Sequence, residues 1–168
     1  PDVLGLSVYT CTLAASLLAF QLAKQKIPGI HTVMGGGIFS DDLAQGSPNM
    51  EHFLDKTKDT IDCIIMGEGE HLLLRYLQGD LPKDQRVHSL LDAGTQTLDF
   101  ATVEPPDFAD FQLQHYPGLA SYSSRSCPFQ CSFCNEAAMW GTFRKRDAKQ
   151  IADELVHLYH TYGNRLFY

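Results

Sequence analysis

Three apolar runs, each closed by a polar or glycine-rich turn and followed by a helical pattern, limit what this chain can fold into. They are Asp-Val-Leu-Gly-Leu-Ser-Val-Tyr at 2 to 9, Ile-His-Thr-Val-Met at 30 to 34 and Ile-Asp-Cys-Ile-Ile-Met at 61 to 66. Runs of this kind suit strands buried on both faces of a parallel sheet. Thr10 or Thr12 is placed to cap a helix from about Leu13 to Gln25, with Leu13, Leu17, Leu18 and Leu22 on one face. Pro28-Gly29 ends it. A second helix is expected over 49 to 58, with Phe53 and Leu54 inward. A third runs from about Glu70 to Leu77 and is stopped by Gly79-Asp80-Leu81-Pro82. The fold class expected for residues 1 to 82 is therefore α/β, a doubly wound parallel sheet.

In such sheets ligands bind outside the carboxyl ends of the strands. The distinctive turns lie there: Ser7-Val8-Tyr9-Thr10, Gly35-Gly36-Gly37 and Gly67-Glu68-Gly69-Glu70. Glycine lets backbone approach a bulky ligand closely. Taken singly, each is also an ordinary turn between strand and helix.

A second feature carries chemistry. Cys127-Pro128-Phe129-Gln130-Cys131-Ser132-Phe133-Cys134 puts three thiols within reach of one metal centre. A structural zinc site takes four protein ligands, and most iron–sulfur clusters are held by four cysteines. Three leave one position open. Plainer readings stand beside this one: a disulfide, a Cys3His zinc site using His115 or His157, or chance clustering of buried thiols. The odd count of 5 cysteines argues against a disulfide framework, and neither histidine has finger-like spacing. Cys11 and Cys63 read as small core residues, and His157 and His160 as helix-surface residues.

The CxxxCxxC spacing resembles the radical S-adenosylmethionine enzymes. Phe133 precedes the last cysteine, and Met139-Trp140-Gly141 and Phe143-Arg144-Lys145-Arg146 follow. The resemblance covers about 119 to 168. It implies that Cys127, Cys131 and Cys134 hold a 4Fe-4S cluster whose open iron takes the amino and carboxylate groups of S-adenosylmethionine. It also places Phe133 beside the adenine. Arg125-Ser126 departs from the Arg-Gly common in the family, and serine tolerates fewer backbone angles than glycine.

Ser-x-Tyr after the first strand, glycines after the second and Gly-Glu-Gly-Glu after the third resemble the cobalamin-binding domain that precedes many radical S-adenosylmethionine cores. This likeness covers about 1 to 82. It implies cobalamin contacts from Ser7, Tyr9, Gly35, Gly36, Gly37, Gly67 and Glu68, with the serine loop and the glycines flanking the nucleotide tail. A larger residue at Gly36 is expected to fill space that the tail needs.

Residues 83 to 118 are expected to link the two parts. Lys83-Asp84-Gln85-Arg86 reads as a solvated charge run, Val87 to Leu91 as a short strand and Pro105-Pro106-Asp107 as a rigid turn. Residues 119 to 168 are expected to start a radical S-adenosylmethionine βα barrel. Its first strand is Leu119 to Ser123, and its first helix opens on the capping box Asp147-x-x-Gln150. That helix carries Ile151, Leu155, Leu158 and Tyr162 on one face and stops at Gly163. Arg165-Leu166-Phe167-Tyr168 reads as a second strand beginning, and the chain as a fragment with an incomplete first domain.

The apolar fraction of 44% suffices for a core, and a formal net charge of −7 does not support a broad nucleic-acid surface. No apolar run approaches the ~20 residues of a membrane span. Reduced cysteines point to the cytoplasm. The expected function is that of a radical enzyme using a 4Fe-4S cluster, S-adenosylmethionine and cobalamin. The resemblance implies that a 5'-deoxyadenosyl radical abstracts a substrate hydrogen before methyl transfer to an unactivated carbon. It also implies an unidentified small-molecule or peptide substrate and an electron donor such as flavodoxin or ferredoxin. Two rivals remain: a radical enzyme whose first domain is a scaffold without cobalamin, and a non-catalytic iron–sulfur electron-transfer module.

Overall fold

The computed structural model describes residues 1–82, 84–90, 94, 97–163 and 166–168. Strand β1 (Val3–Ser7), helix α1 (Leu13–Lys26), strand β2 (His31–Gly35), helix α2 (Pro48–Lys56), strand β3 (Cys63–Met66) and helix α3 (Gly69–Gln78) alternate as expected. Strand β4 (Val87–Ser89) follows within the segment expected to be a linker. The four strands form one parallel sheet in the order β1-β2-β3-β4, with Val3 opposite His31, Val33 opposite Cys63 and Ile64 opposite Val87. Leu91, the expected end of β4, lies outside the described residues, as do Lys83 and Arg165.

Successive residues of a strand point to opposite faces, and the core divides accordingly. Leu4, Leu6, Met34, Ile64 and Met66 pack with Phe20 of α1 and Met50 and Phe53 of α2. Val3, Val33, Cys63 and Ile65 pack with Leu72 and Tyr76 of α3. Helices on both faces are the doubly wound arrangement. Full burial of a phenylalanine such as Phe20 contributes about 2–3 kcal/mol. Ser47 caps α2 by accepting from the Met50 N–H at 3.2 Å, with Pro48 at the first helical position.

Several local expectations change. Helix α1 turns Leu13, Leu17 and Phe20 inward and leaves Leu18 and Leu22 55% and 43% exposed. Its sequence is apolar nearly all round, so spacing alone does not define its inner face, and the bulkiest side chain takes the core. Cys11 lies in a short turn, Thr10–Thr12, and is exposed rather than a core residue. Arg86 is not a solvated charge. Its guanidinium donates to the carbonyl oxygens of Leu54, Thr57 and Ile61 at 2.6, 2.6 and 2.8 Å, which closes the carboxyl end of α2.

Beyond Gly118, Leu119 and Phe167 form a parallel bridge, with Leu119 N–H donating to Leu166 and Ser121 N–H donating to Tyr168. Helix α5 (Ala148–Tyr162) connects them. Asp147 caps it by accepting from the N–H groups of Lys149 and Gln150. The reciprocal half of the expected box is replaced, because the Gln150 side chain donates to Ala101 O at 3.1 Å. Between them a hairpin stands out from the chain. Strand β5 (Ser124–Arg125) pairs antiparallel with β6 (Arg144–Lys145), placing Arg125 opposite Arg144. The loop it closes holds the three cysteines and helix α4 (Glu136–Trp140).

Candidate cofactor site

The carboxyl ends of β1, β2 and β3 meet at one edge of the sheet. Val8 N–H donates to Gly35 O at 2.7 Å and Ile38 N–H to Val8 O at 3.2 Å, which locks the first two turns together. Over this edge lies a cavity of about 400 Å3. Ser7, Tyr9, Gly35, Gly36, Gly37 and Gly67, all singled out by the sequence, line it. Val33 and Ile65 form an apolar floor, Gly69, Glu70 and Leu73 of α3 one wall, and Met139 and Trp140 of α4 a cover.

Gly5 also lines this cavity, and a Cβ placed on it would meet nothing within 4 Å. Sequence reasoning passed over it, although a glycine inside a strand is a signal of close approach by a ligand. Leu73 was missed as well, and Glu70 and Met139, although they lie in motifs the sequence singled out, were not read as cavity residues. They face the cavity only because α3 and the hairpin fold over the sheet edge, which no local pattern reports.

Glu68 does not line the cavity. Its side chain turns away and is only 4% exposed overall. Arg144 grips the carboxylate with both terminal nitrogens, one of them at 3.2 Å. Leu98 N–H donates to it at 2.8 Å, and Arg125 Nη1 stands 3.5 Å away. Burial works to raise the Glu68 pKa. The Arg144 and Leu98 bonds, with the charges of Arg144 and Arg125, outweigh burial and hold it below the usual carboxylate value. Arg125 in turn pairs with Glu70 and lies against the rings of Trp140, Tyr122 and Phe100, at 4.9, 5.2 and 5.8 Å from their centroids. Burial opposes its charge, but the Glu70 bond and the nearby carboxylates raise its pKa.

The cysteine loop leaves directly from this arginine. Ser126, where the departure from Arg-Gly was noted, adopts φ 65°, and its hydroxyl donates to Gly141 O at 2.6 Å. That bond ties the two arms of the loop in a conformation that glycine would reach without strain. Cys127 is half-buried, while Cys131 and Cys134 are exposed; all three are free thiols. Cys134 N–H donates to Cys131 O at 3.1 Å. Among the described residues, no three His, Cys, Asp or Glu side chains are gathered closely enough to hold a metal ion. The loop thus carries the thiols together without drawing them to a point. As a donor set, three thiolates free of imidazole or carboxylate suit an iron–sulfur cluster.

Phe133 is 89% exposed at the tip. Cys134 lines a second cavity, about 230 Å3, together with Tyr9, Gly37 and Met139. The cysteine loop and the turns after β1 and β2 therefore border one space. Cys63 is distinct: burial, aided by the Asp62 charge, pushes its thiol up to about 12. Among the described residues no helix is long and apolar enough to cross a membrane.

No protein-family model matches the chain. It is 29% identical to an anaerobic magnesium-protoporphyrin IX monomethyl ester cyclase of Rubrivivax gelatinosus, over 92% of this chain and 30% of that protein. It is 26% identical to a hopanoid C-3 methylase of Methylococcus capsulatus, over 92% of this chain and 32% of that protein. An uncharacterized methyltransferase of Pyrococcus horikoshii is 24% identical, over 97% of this chain and 38% of that protein. Matches this long take in both the parallel sheet and the cysteine loop. The chain spans about a third of the length of these relatives.

Proposed function

We propose that this chain belongs to a radical S-adenosylmethionine enzyme with a cobalamin-binding first domain, acting by methyl transfer to an unactivated carbon. The observation that carries the reading is that Cys134 shares a cavity with Tyr9 and Gly37. A metal centre on the hairpin would then face whatever the turns of the sheet hold. The relatives point the same way, since they include a methylase, a methyltransferase and a cyclase by name.

In this reading Cys127, Cys131 and Cys134 hold a 4Fe-4S cluster, and Phe133 stands beside the adenine of S-adenosylmethionine. Ser7, Tyr9, Gly35, Gly36, Gly37 and Gly67 border the nucleotide tail of cobalamin. When bound, these groups supply one-electron reduction of S-adenosylmethionine and a transferable methyl group. The chain itself binds and orients them. Val33 and Ile65 offer a dry floor, Met139 and Trp140 exclude water from above, and Glu68 acts behind the cavity wall. The domain limits 1–82, 83–118 and 119–168, with a βα barrel beginning in the last, belong to the same proposal. So do a cytoplasmic location, an electron donor of the flavodoxin or ferredoxin type and a small-molecule or peptide substrate.

A second reading is favoured by one feature: the glycines after β2 lie hard against the protein's own Val8, Tyr9 and Met139. A scaffold domain without cobalamin would show the same. Ultraviolet–visible spectra after anaerobic reconstitution separate the two. Cobalamin bands with cluster absorbance support the main reading, and cluster absorbance alone supports the scaffold. Absence of both overturns the proposal.

A further inference from the structure

The hairpin that carries the cysteines is closed by two arginines in register, Arg125 and Arg144, and both reach the same carboxylate, Glu68. This is an unusual place to concentrate charge. Glu68 is the first acidic residue after β3, and its backbone neighbours Gly67 and Gly69 line the cavity over the sheet. One turn thus presents backbone to the cavity on one side and a buried carboxylate to the cysteine hairpin on the other. The carboxylate also accepts from Leu98 N–H, and Arg144 donates to Leu98 O and Trp140 O at 3.2 and 3.3 Å. Trp140 stacks on Arg125, so the hairpin base, helix α4 and the turn after β3 form one fastening.

We propose that Glu68 is a positioning residue, fixing the cysteine hairpin against the carboxyl edge of the sheet through Arg144 and Arg125. This rests on the reading of the cysteines as cluster ligands only for its purpose; the fastening itself is a property of the metal-free chain. A bidentate arginine–carboxylate pair fixes orientation as well as distance. Arg144 makes that pair, and Arg125, its charge 3.5 Å from Glu68 and its hydrogen bond on Glu70, holds the opposite strand at the foot of the hairpin. Ser126 and Gly141, joined just above the foot, carry that setting to Cys127. A buried ion pair of this kind is weak support for overall stability, so the role proposed for it is to orient the hairpin.

The test is the alkylation rate of each cysteine in metal-free protein at neutral pH, followed by mass spectrometry with iodoacetamide. Exposed Cys11 serves as the reference rate and buried Cys63 as the reporter of unfolding. In Glu68→Gln, which keeps an acceptor for Leu98 but removes the charge, half-buried Cys127 should react about tenfold faster relative to Cys11, with Cys63 still protected. Arg144→Lys keeps the charge and loses the fork, and should give a smaller rise in the same direction. The double variant should react no faster than Glu68→Gln, because both remove one unit. If Glu68→Gln exposes Cys63, Arg144→Lys decides. A Cys127 rate equal to wild type in a variant that protects Cys63 overturns the proposal. The readout needs no cluster, so failure of iron loading refutes the functional reading and leaves this inference to stand or fall on alkylation.

Discussion

A Cβ placed on Gly36 would stand 2.5 Å from the carbonyl oxygen of Val8 and closer still to its amide nitrogen. The turn after β2 is thus pressed against the end of β1, at φ 109°, a conformation that side-chain-bearing residues rarely adopt. The glycine is required by the protein's own backbone before any ligand arrives. That revises the expectation that bulk at Gly36 would act only on ligand space. Gly36→Ala is expected to lower stability by about 1–3 kcal/mol, with little change in the urea m-value. A midpoint within error of wild type in urea titrations followed by circular dichroism would contradict this.

Gly5 is the cleaner probe of the cavity. It sits mid-strand with ordinary backbone angles, and a side chain there would project into open space. Gly5→Leu should preserve or slightly raise stability, since glycine weakens a strand interior. Cobalamin retention after gel filtration should fall about tenfold, the scale of overfilling a packed space. Equal retention by both proteins would remove the cavity from the account.

The alternation of strands and helices was legible because buried parallel strands leave continuous apolar runs, and the turns at their ends stood out in composition. Ser7, Tyr9, Gly35, Gly36 and Gly37 stood out by their position at the strand ends, and the resemblance to a cobalamin-binding domain is what singled them out from ordinary turns; they line one cavity. Glu68 was legible as a special residue but not as a partner of Arg144, 76 positions away. Nothing local encodes so distant a pair. The inward face of α1 was missed because Leu18 and Leu22 resemble Leu13 and Leu17 in every property that spacing can use. Gly5 was overlooked although it had a signal, a glycine inside an otherwise β-branched and leucine-rich strand.

The Glu68 fastening has a defined pH window. Its pKa is held below the ordinary 4.5, so its contribution is fully present above that value and is lost as pH falls through the depressed native value. The stability difference between wild type and Glu68→Gln should therefore be constant from about pH 5 to 8 and shrink below about pH 4.5. Fluorescence of Trp140, the one tryptophan in the chain, reports the hairpin directly during urea titrations at each pH. A difference that grew as the pH fell would mean that Glu68 is not the charged partner.

The central claim is that three cysteines, and only those three, bind the iron centre. Iron and sulfide should be measured after anaerobic reconstitution of wild type and of five single variants, Cys11→Ala, Cys63→Ala, Cys127→Ala, Cys131→Ala and Cys134→Ala. Wild type, Cys11→Ala and Cys63→Ala should each hold about 4 iron atoms per chain, the content of one 4Fe-4S cluster. Each of the other three variants should lose nearly all of it. Full iron in Cys127→Ala, Cys131→Ala or Cys134→Ala, or loss of iron in folded Cys11→Ala, would contradict the account.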